Sequence, residues 1–243
     1  MRVRLISDIH LEHNNDWIPP KNWNESDLCI IAGDVGSPYN TAYKNILLHA
    51  TRKHKTSVLV PGNHEYYSEG KNMDSVKEKL KELCRDTSVI LLDNDSHDLE
   101  GMRIVGTTLW PKVPAEYYPF MKKQKHGLVT KIMKDMFPLS VEDLEVLNRN
   151  SINFLKRMLA STDDTIVVTH YPPSSVMLSD ATEHLPDVVT HWSEAMNLVK
   201  SNIKLWACGH GHTAKSFLIN GSIPLVSNCV QGGEFDENFE ILI

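Results

Sequence analysis

Residues 57–65 read SVLVPGNHE. A short apolar run ends in a Pro-Gly turn, and the turn carries an amide, an imidazole and a carboxylate in succession. Four other stretches repeat the plan. Val3–Ile6 leads into SDIH, Leu28–Ala32 into GDVG, Thr165–Val168 into THYPP, and Leu205–Ala207 into CGHGHT. Short runs rich in Val, Ile and Leu suit central strands covered on both faces. The chemistry-bearing residues therefore gather just past strand C-terminal ends, where open α/β sheets place their ligands.

Working outward, Asn40–His54 and Met73–Arg85 have helical spacing and alternate with the early strands in a βα order. Val89–Leu92, Met102–Gly106, Lys215–Ile219 and Pro224–Asn228 read as further strands. The last two flank an Asn-Gly-Ser turn, a hairpin signal. Tyr117–Leu159 is Lys- and Met-rich and helical in pattern, with Ser140 as N-cap before VEDLEVLNRNSINFLKRML. It reads as a helical insertion around 115–160 in one domain spanning 1–243, packed beside the site. There is no internal repeat or low-complexity tract.

Composition narrows the class. Of 243 residues, 41% are apolar and 23% charged, which suits an ordinary globular chain. The net charge of −6 argues against broad nucleic-acid binding, which needs many Lys and Arg on phosphates. A small phosphorylated substrate stays open, because a metal supplies positive charge locally. Cys29, Cys84, Cys208 and Cys229 form no CxxC pair or disulfide framework. The N-terminal MRVRLISDIH has no h-region, and no apolar run has membrane-spanning length. A cytoplasmic protein with reduced thiols and no membrane association is expected.

The turns contain, in order, Asp8-x-His10, Gly33-Asp34, Gly62-Asn63-His64-Glu65, His170 and Gly209-His210-Gly211-His212. Taken singly, Asp8 reads as an N-cap or turn residue and Gly33-Asp34 as an ordinary turn. Their ordered recurrence after successive strands favours a metal site. Imidazoles, carboxylates and an amide oxygen suit Mn, Fe, Zn, Co or Ni. Alternate residues can share a face, so Asp8 and His10 can approach one ion, and His210 and His212 can do the same. Gly209 and Gly211 permit close backbone approach.

This pattern resembles the calcineurin-like metallophosphoesterase superfamily, whose signature is DxH, GD, GNH[ED], a lone His, then GHxH. GTTLWP at 106–111, VTHYPPS at 168–174 and LWACGHGHT at 205–213 resemble its small bacterial and phage-type phosphoesterases. The resemblance implies an α/β fold, a four-layer α/β/β/α sandwich with two central mixed sheets. It implies two divalent ions, with Mn the first expectation. Asp8, His10 and His212 would hold one; Asn63, His170 and His210 the other; Asp34 would bridge. It further implies a bridging hydroxide nucleophile and His64 as general acid, a role suited to an imidazole of pKa about 6.5. Glu65 or another carboxylate would orient His64.

The expected function is hydrolysis of a phosphomonoester or phosphodiester. A DNA-repair nuclease is the alternative, disfavoured by charge. A non-catalytic metal-binding module is a further one, disfavoured because all seven ligands and His64 are present. The Ser/Thr phosphatase pattern GDxxDRG is replaced here by GDVGSPY. Tyr66, Trp110, His13 and His191 are candidate substrate contacts, with core packing an equal reading of the first two. Lys122, Lys123 and Lys125 read as a solvated helical face. His49 and His54 read as surface residues of a helix.

Overall fold

A computed structural model describes residues 1–20, 23–68, 70–117, 139–179, 191–232 and 235–243. In it, each apolar run of the sequence becomes a strand, and the strands form two sheets. The first sheet has the order β11-β1-β2-β3-β4. Its strands are β1 (Arg2–Ile6), β2 (Ser26–Ile31), β3 (His54–Leu59), β4 (Ile90–Leu91) and β11 (Glu240–Leu242). β1 to β4 run parallel, and β11 is antiparallel on the edge.

The second sheet has the order β5-β6-β7-β8-β10-β9. It contains β5 (Asp95–Leu99), β6 (Met102–Thr107), β7 (Thr165–Thr169), β8 (Ile203–Cys208), β9 (Ala214–Ile219) and β10 (Ile223–Asn228). β6, β7, β8 and β10 are parallel, flanked by antiparallel β5 and β9. The turn between β9 and β10 is the expected hairpin. Asn220 and Gly221 adopt φ of 50° and 72°, the positive values of a type I′ turn.

Side-chain alternation stacks the layers. Leu28, Ile30 and Val58 join Ile104, Ile166, Val168 and Leu205 in one apolar cluster between the sheets. The intervening Cys29, Ile31 and Leu59 pack outward with Leu47 and Leu80, while Val105, Val167 and Trp206 pack with Leu144 and Leu155. A period of two along each strand thus gives every central strand one face toward the other sheet and one toward helices. Helix α1 (Thr41–Lys53) lies on β3, α2 (Met73–Thr87) on β4, and α3 (Val141–Met158) on β6. The layering is the expected α/β/β/α sandwich.

Local chemistry sets the helix starts. Asn40 caps α1 by accepting from Ala42 N, and Asn72 caps α2 by accepting from Ser75 N. Ser140 caps α3, as the sequence suggests, and Asp143 completes a reciprocal capping box with it. Within the helical stretch read at 117–159, residues 118–138 lie outside the described residues, as do Lys122, Lys123, Lys125, His126 and His184.

Three features depart from the sequence reading. β5 and β11 carry no clear apolar alternation; their pairing to β6 and β1 makes them strands. His54 opens β3 instead of ending α1, and it is buried, accepting at Nδ1 from Ser26 Oγ at 2.8 Å. Pairing with β2 pulls it from the helix surface into the sheet.

At one end the two sheets meet. Ser7, just past β1, bridges Cys229, just past β10. Val230 N donates to Ser7 O at 2.9 Å, and Gln231 N donates to Asp8 O at 2.9 Å. The turns that carry the polar motifs all emerge here. Among the described residues, no helix is long and apolar enough to cross a membrane.

Candidate metal centre

Five of the expected ligands have unusual backbones. Asp8, His10, Asp34, His210 and His212 adopt φ of 53°, 49°, 55°, 62° and 47°. Non-glycine residues rarely occupy this left-handed region, and such strain persists only where the surroundings impose it. Asp8 N donates to Gly33 O and His10 N to Asp34 O, each at 3.0 Å, which locks the first two turns together. The left-handed turns bring alternate residues to one side after each strand ends.

Glycines make the approach possible. A Cβ at Gly62 would collide with the Asp34 carboxylate, and one at Gly209 would lie 2.7 Å from Asp8 Oδ2. The close approach expected at Gly209 is to Asp8, and that at Gly211 is to the backbone of Met177.

Three groups of donors result, two of which match the expected ligand sets; the third joins His10 and Asp34 to His64. Asp8, His10 and His212 each present a ligand atom within 4.8 Å of the others. His10 Nε2 is 3.1 Å from His212 Nε2, and Asp8 Oδ1 is 3.5 Å from the latter. Asp34, His170 and His210 form a second such group. His170 Nε2 lies 3.2 Å from His210 Nδ1 and 2.9 Å from Asn63 Oδ1. Asp34 sits between the groups, with Oδ2 at 3.7 Å from His10 Nε2 and 3.2 Å from His170 Nε2.

Hydrogen bonds behind the site orient the rings. His170 Nδ1 donates to Ala32 O at 2.8 Å, and His10 Nδ1 pairs with Glu12 Oε1 at 2.7 Å. Each leaves its Nε2 toward the centre, the arrangement that fixes a metal-binding tautomer. Asp34 Oδ1 accepts from His64 N at 2.8 Å, and Asp8 accepts from His210 N at 3.0 Å.

The donor set fits divalent cations. Asp34 Oδ2 is buried and has no hydrogen-bond partner. The ring nitrogens facing each other at 3.1–3.2 Å need a proton or a cation shared between them. The carboxylates stay charged. Burial alone would raise Asp8, but its bond to His10 and the nearby His170 and His212 hold it well below the usual carboxylate range. Asp34 is likewise held low against burial, chiefly by His170 and His64. In turn, against burial, Asp8 and Glu12 push His10 up to about 11, and Asp34 raises His170 to about 9. His210 moves the other way, with burial and then His170 pushing it well below its ordinary value, so it is a neutral donor.

His64 lies at the solvent edge, its side chain 22% exposed. Its Nδ1 is 2.7 Å from Glu12 Oε1. Glu65, one of the carboxylates considered for orienting His64, lies elsewhere. It is buried and accepts from the backbone N–H groups of Asp34, Val35 and Gly62 at 3.0, 2.8 and 2.7 Å. It therefore fastens the GD turn to the GNHE turn. Glu12 is the residue that motif reading missed; its only signal was its place two residues past His10 in DIHLE.

Tyr66 and Trp110 are core residues, 1% and 3% exposed, with ring centroids 5.8 Å apart. Both pack into the apolar cluster that also holds Tyr171, which is the core-packing reading the sequence also allows. His13 is exposed, 6.0 Å from the His10 ring, and His191 lies 5.6 Å from the His210 ring.

The comparisons agree with this architecture. An uncharacterized protein of Acanthamoeba polyphaga mimivirus is 26% identical over 249 residues, covering 92% of this chain and 89% of its own length. The phosphopantetheinyl hydrolase PptH from Mycobacterium tuberculosis shares the fold, with a TM-score of 0.68, 18% identity, and coverage of 94% of this chain and 89% of that one. Residues 1–214 match the Calcineurin-like phosphoesterase family, and the chain belongs to that family.

Proposed function

We propose that the chain is a metal-dependent phosphoester hydrolase acting on a small phosphorylated substrate in the cytoplasm. The observation that carries this reading is the pair of donor groups on either side of the buried, unpartnered Asp34 Oδ2. Asp8, His10 and His212 would hold one divalent ion, Asn63, His170 and His210 a second, and Asp34 both. When bound, such ions offset phosphoryl charge and lower the pKa of a coordinated water.

The protein's own groups supply the rest. Glu12 takes His64 Nδ1, so Nε2 is the nitrogen left to give a proton to the leaving oxygen. Glu65 holds Asp34 through its backbone and so keeps the carboxylate aimed at both donor groups. The strained turns keep the donors together before any ion arrives, so little order is lost on binding.

The test is a metal-stripped protein to which Mn, Zn, Co, Ni or Fe is restored. Its substrates are an aryl monoester, an aryl diester, a cyclic nucleotide, a phosphopantetheinyl diester and single-stranded DNA. Turnover that returns with metal supports the reading. Metal-dependent turnover on DNA alone would favour the nuclease alternative. Tight metal binding without turnover on any substrate would favour a binding module.

A further inference from the structure

One carboxylate oxygen touches two histidines that carry different roles. Glu12 Oε1 lies 2.7 Å from His10 Nδ1 and 2.7 Å from His64 Nδ1. A carboxylate oxygen has two lone pairs and can accept from both rings. The two rings meet edge to face, with centroids 4.4 Å apart and planes at 86°. We propose that Glu12 is a positioning residue that clamps His10 and His64 through one oxygen, coupling occupancy of the first donor group to the aim of the proton donor. This rests on the metal-dependent reading above.

The fold builds a seat for this clamp. Leu11 N donates to Val35 O at 2.9 Å, which zips the segment after β1 to the turn after β2. Gly36, at φ 129°, lies under the carboxylate; a Cβ there would come within 2.8 Å of Glu12 Oε2. A side chain at position 36 would therefore push Glu12 off its partners. Glu12 itself is only partly covered, its side chain 30% exposed, so its place owes more to these two contacts than to burial. His10 turns its other nitrogen toward His212, while His64 lies at the open edge. A shift of the Glu12 carboxylate thus moves a ligand and the acid together.

The test compares wild type, Glu12→Ala, Glu12→Gln, His64→Ala and the Glu12→Ala/His64→Ala double variant. Mn²⁺ affinity is read by calorimetry, independently of turnover. Glu12→Ala is expected to weaken it about 10-fold, the low end for loss of a carboxylate behind a ligand histidine. The same weakening is expected in the His64→Ala background, since it acts through His10. At saturating Mn²⁺, Glu12→Ala should lower kcat at least 10-fold on an alkyl phosphate, whose leaving oxygen needs a proton. The loss should be smaller on a nitrophenyl phosphate, and absent in the His64→Ala background. Glu12→Gln keeps an acceptor without the charge and should fall between; it carries the comparison if Glu12→Ala does not fold.

Unchanged Mn²⁺ affinity overturns the proposal, as does a kcat loss that is equal for both leaving groups or additive with His64→Ala. Absence of wild-type turnover would instead sink the hydrolase reading, and the calorimetric arm would still decide whether Glu12 supports His10.

Discussion

His10 and His212 face each other Nε2 to Nε2 across 3.1 Å, though they lie 202 residues apart. Nothing but a shared proton or a cation makes that approach favourable, and Asp8 Oδ1 waits 3.5 Å from His212 Nε2. Metal addition should therefore stabilise the fold. Free Mn²⁺ at 100 times its Kd is expected to contribute about 2.7 kcal/mol. Calorimetric melting with Mn²⁺ and with chelator measures it. Asp34→Asn should remove most of the difference; an equal Mn²⁺ shift in that variant would contradict the role of Asp34 between the groups.

His64 is placed at the edge of the centre and held by Glu12. His64→Ala should keep its Mn²⁺ affinity and lose turnover by about 10²–10⁴-fold, the usual range for a proton donor. Titration of metal into the variant, followed by steady-state assay, separates the two. Loss of metal would make His64 a ligand.

Gly62 packs against Asp34 so closely that a methyl group cannot fit. Gly62→Ala should cost stability at the upper end of ordinary substitutions, about 3 kcal/mol, and weaken Mn²⁺ binding with it. Chemical denaturation of the apo and metal-loaded variant is the check. Wild-type values in both would show that the Asp34 turn yields to the added methyl group.

Trp110 packs against Tyr66 and Tyr171 in the core, with only 3% of its surface exposed. Trp110→Ala should destabilise by about 3–5 kcal/mol through the cavity it leaves. A variant that melts normally but shows a raised KM would return Trp110 to the substrate pocket.

His54 supplies a pH dependence away from the metal centre. Burial, then Arg4, His49 and Lys53, lowers its pKa to about 4. The unfolded chain takes this proton near 6.5, so between pH 6.5 and 4 the unfolded state binds more protons. Stability is then lost as pH falls through that window, by at most about 3 kcal/mol. Denaturation curves of wild type and His54→Gln, both with chelator, isolate the effect. The difference between them should narrow toward pH 4; a constant difference would show that His54 titrates normally when folded.

Much of this was legible in the sequence, and the reason is local. The strands β1, β2, β3, β7 and β8 announce themselves as short apolar runs, and each ends in a turn rich in Gly, His or Asp. Strand period and turn chemistry depend on near neighbours, so the turns that carry Asp8, His10, Asp34, Asn63, His170, His210 and His212 could be picked out by position, while the choice of Asn63 over His64 as a ligand came from the resemblance to a family pattern. The hairpin at Asn220-Gly221 and the cap at Ser140 are equally local.

Tertiary structure decided which side chain meets which. Glu12 gains its two histidines because hydrogen bonds zip residues 8–11 to residues 33–36. Glu65 turns away from His64 because three backbone N–H groups bind it beneath the turn. Tyr66 and Trp110 lie beside their motifs, but contacts with each other and with Tyr171 bury them in the core. β5 and β11 become strands only when a neighbour offers its edge. Such contacts join segments far apart along the chain, so no local pattern records them.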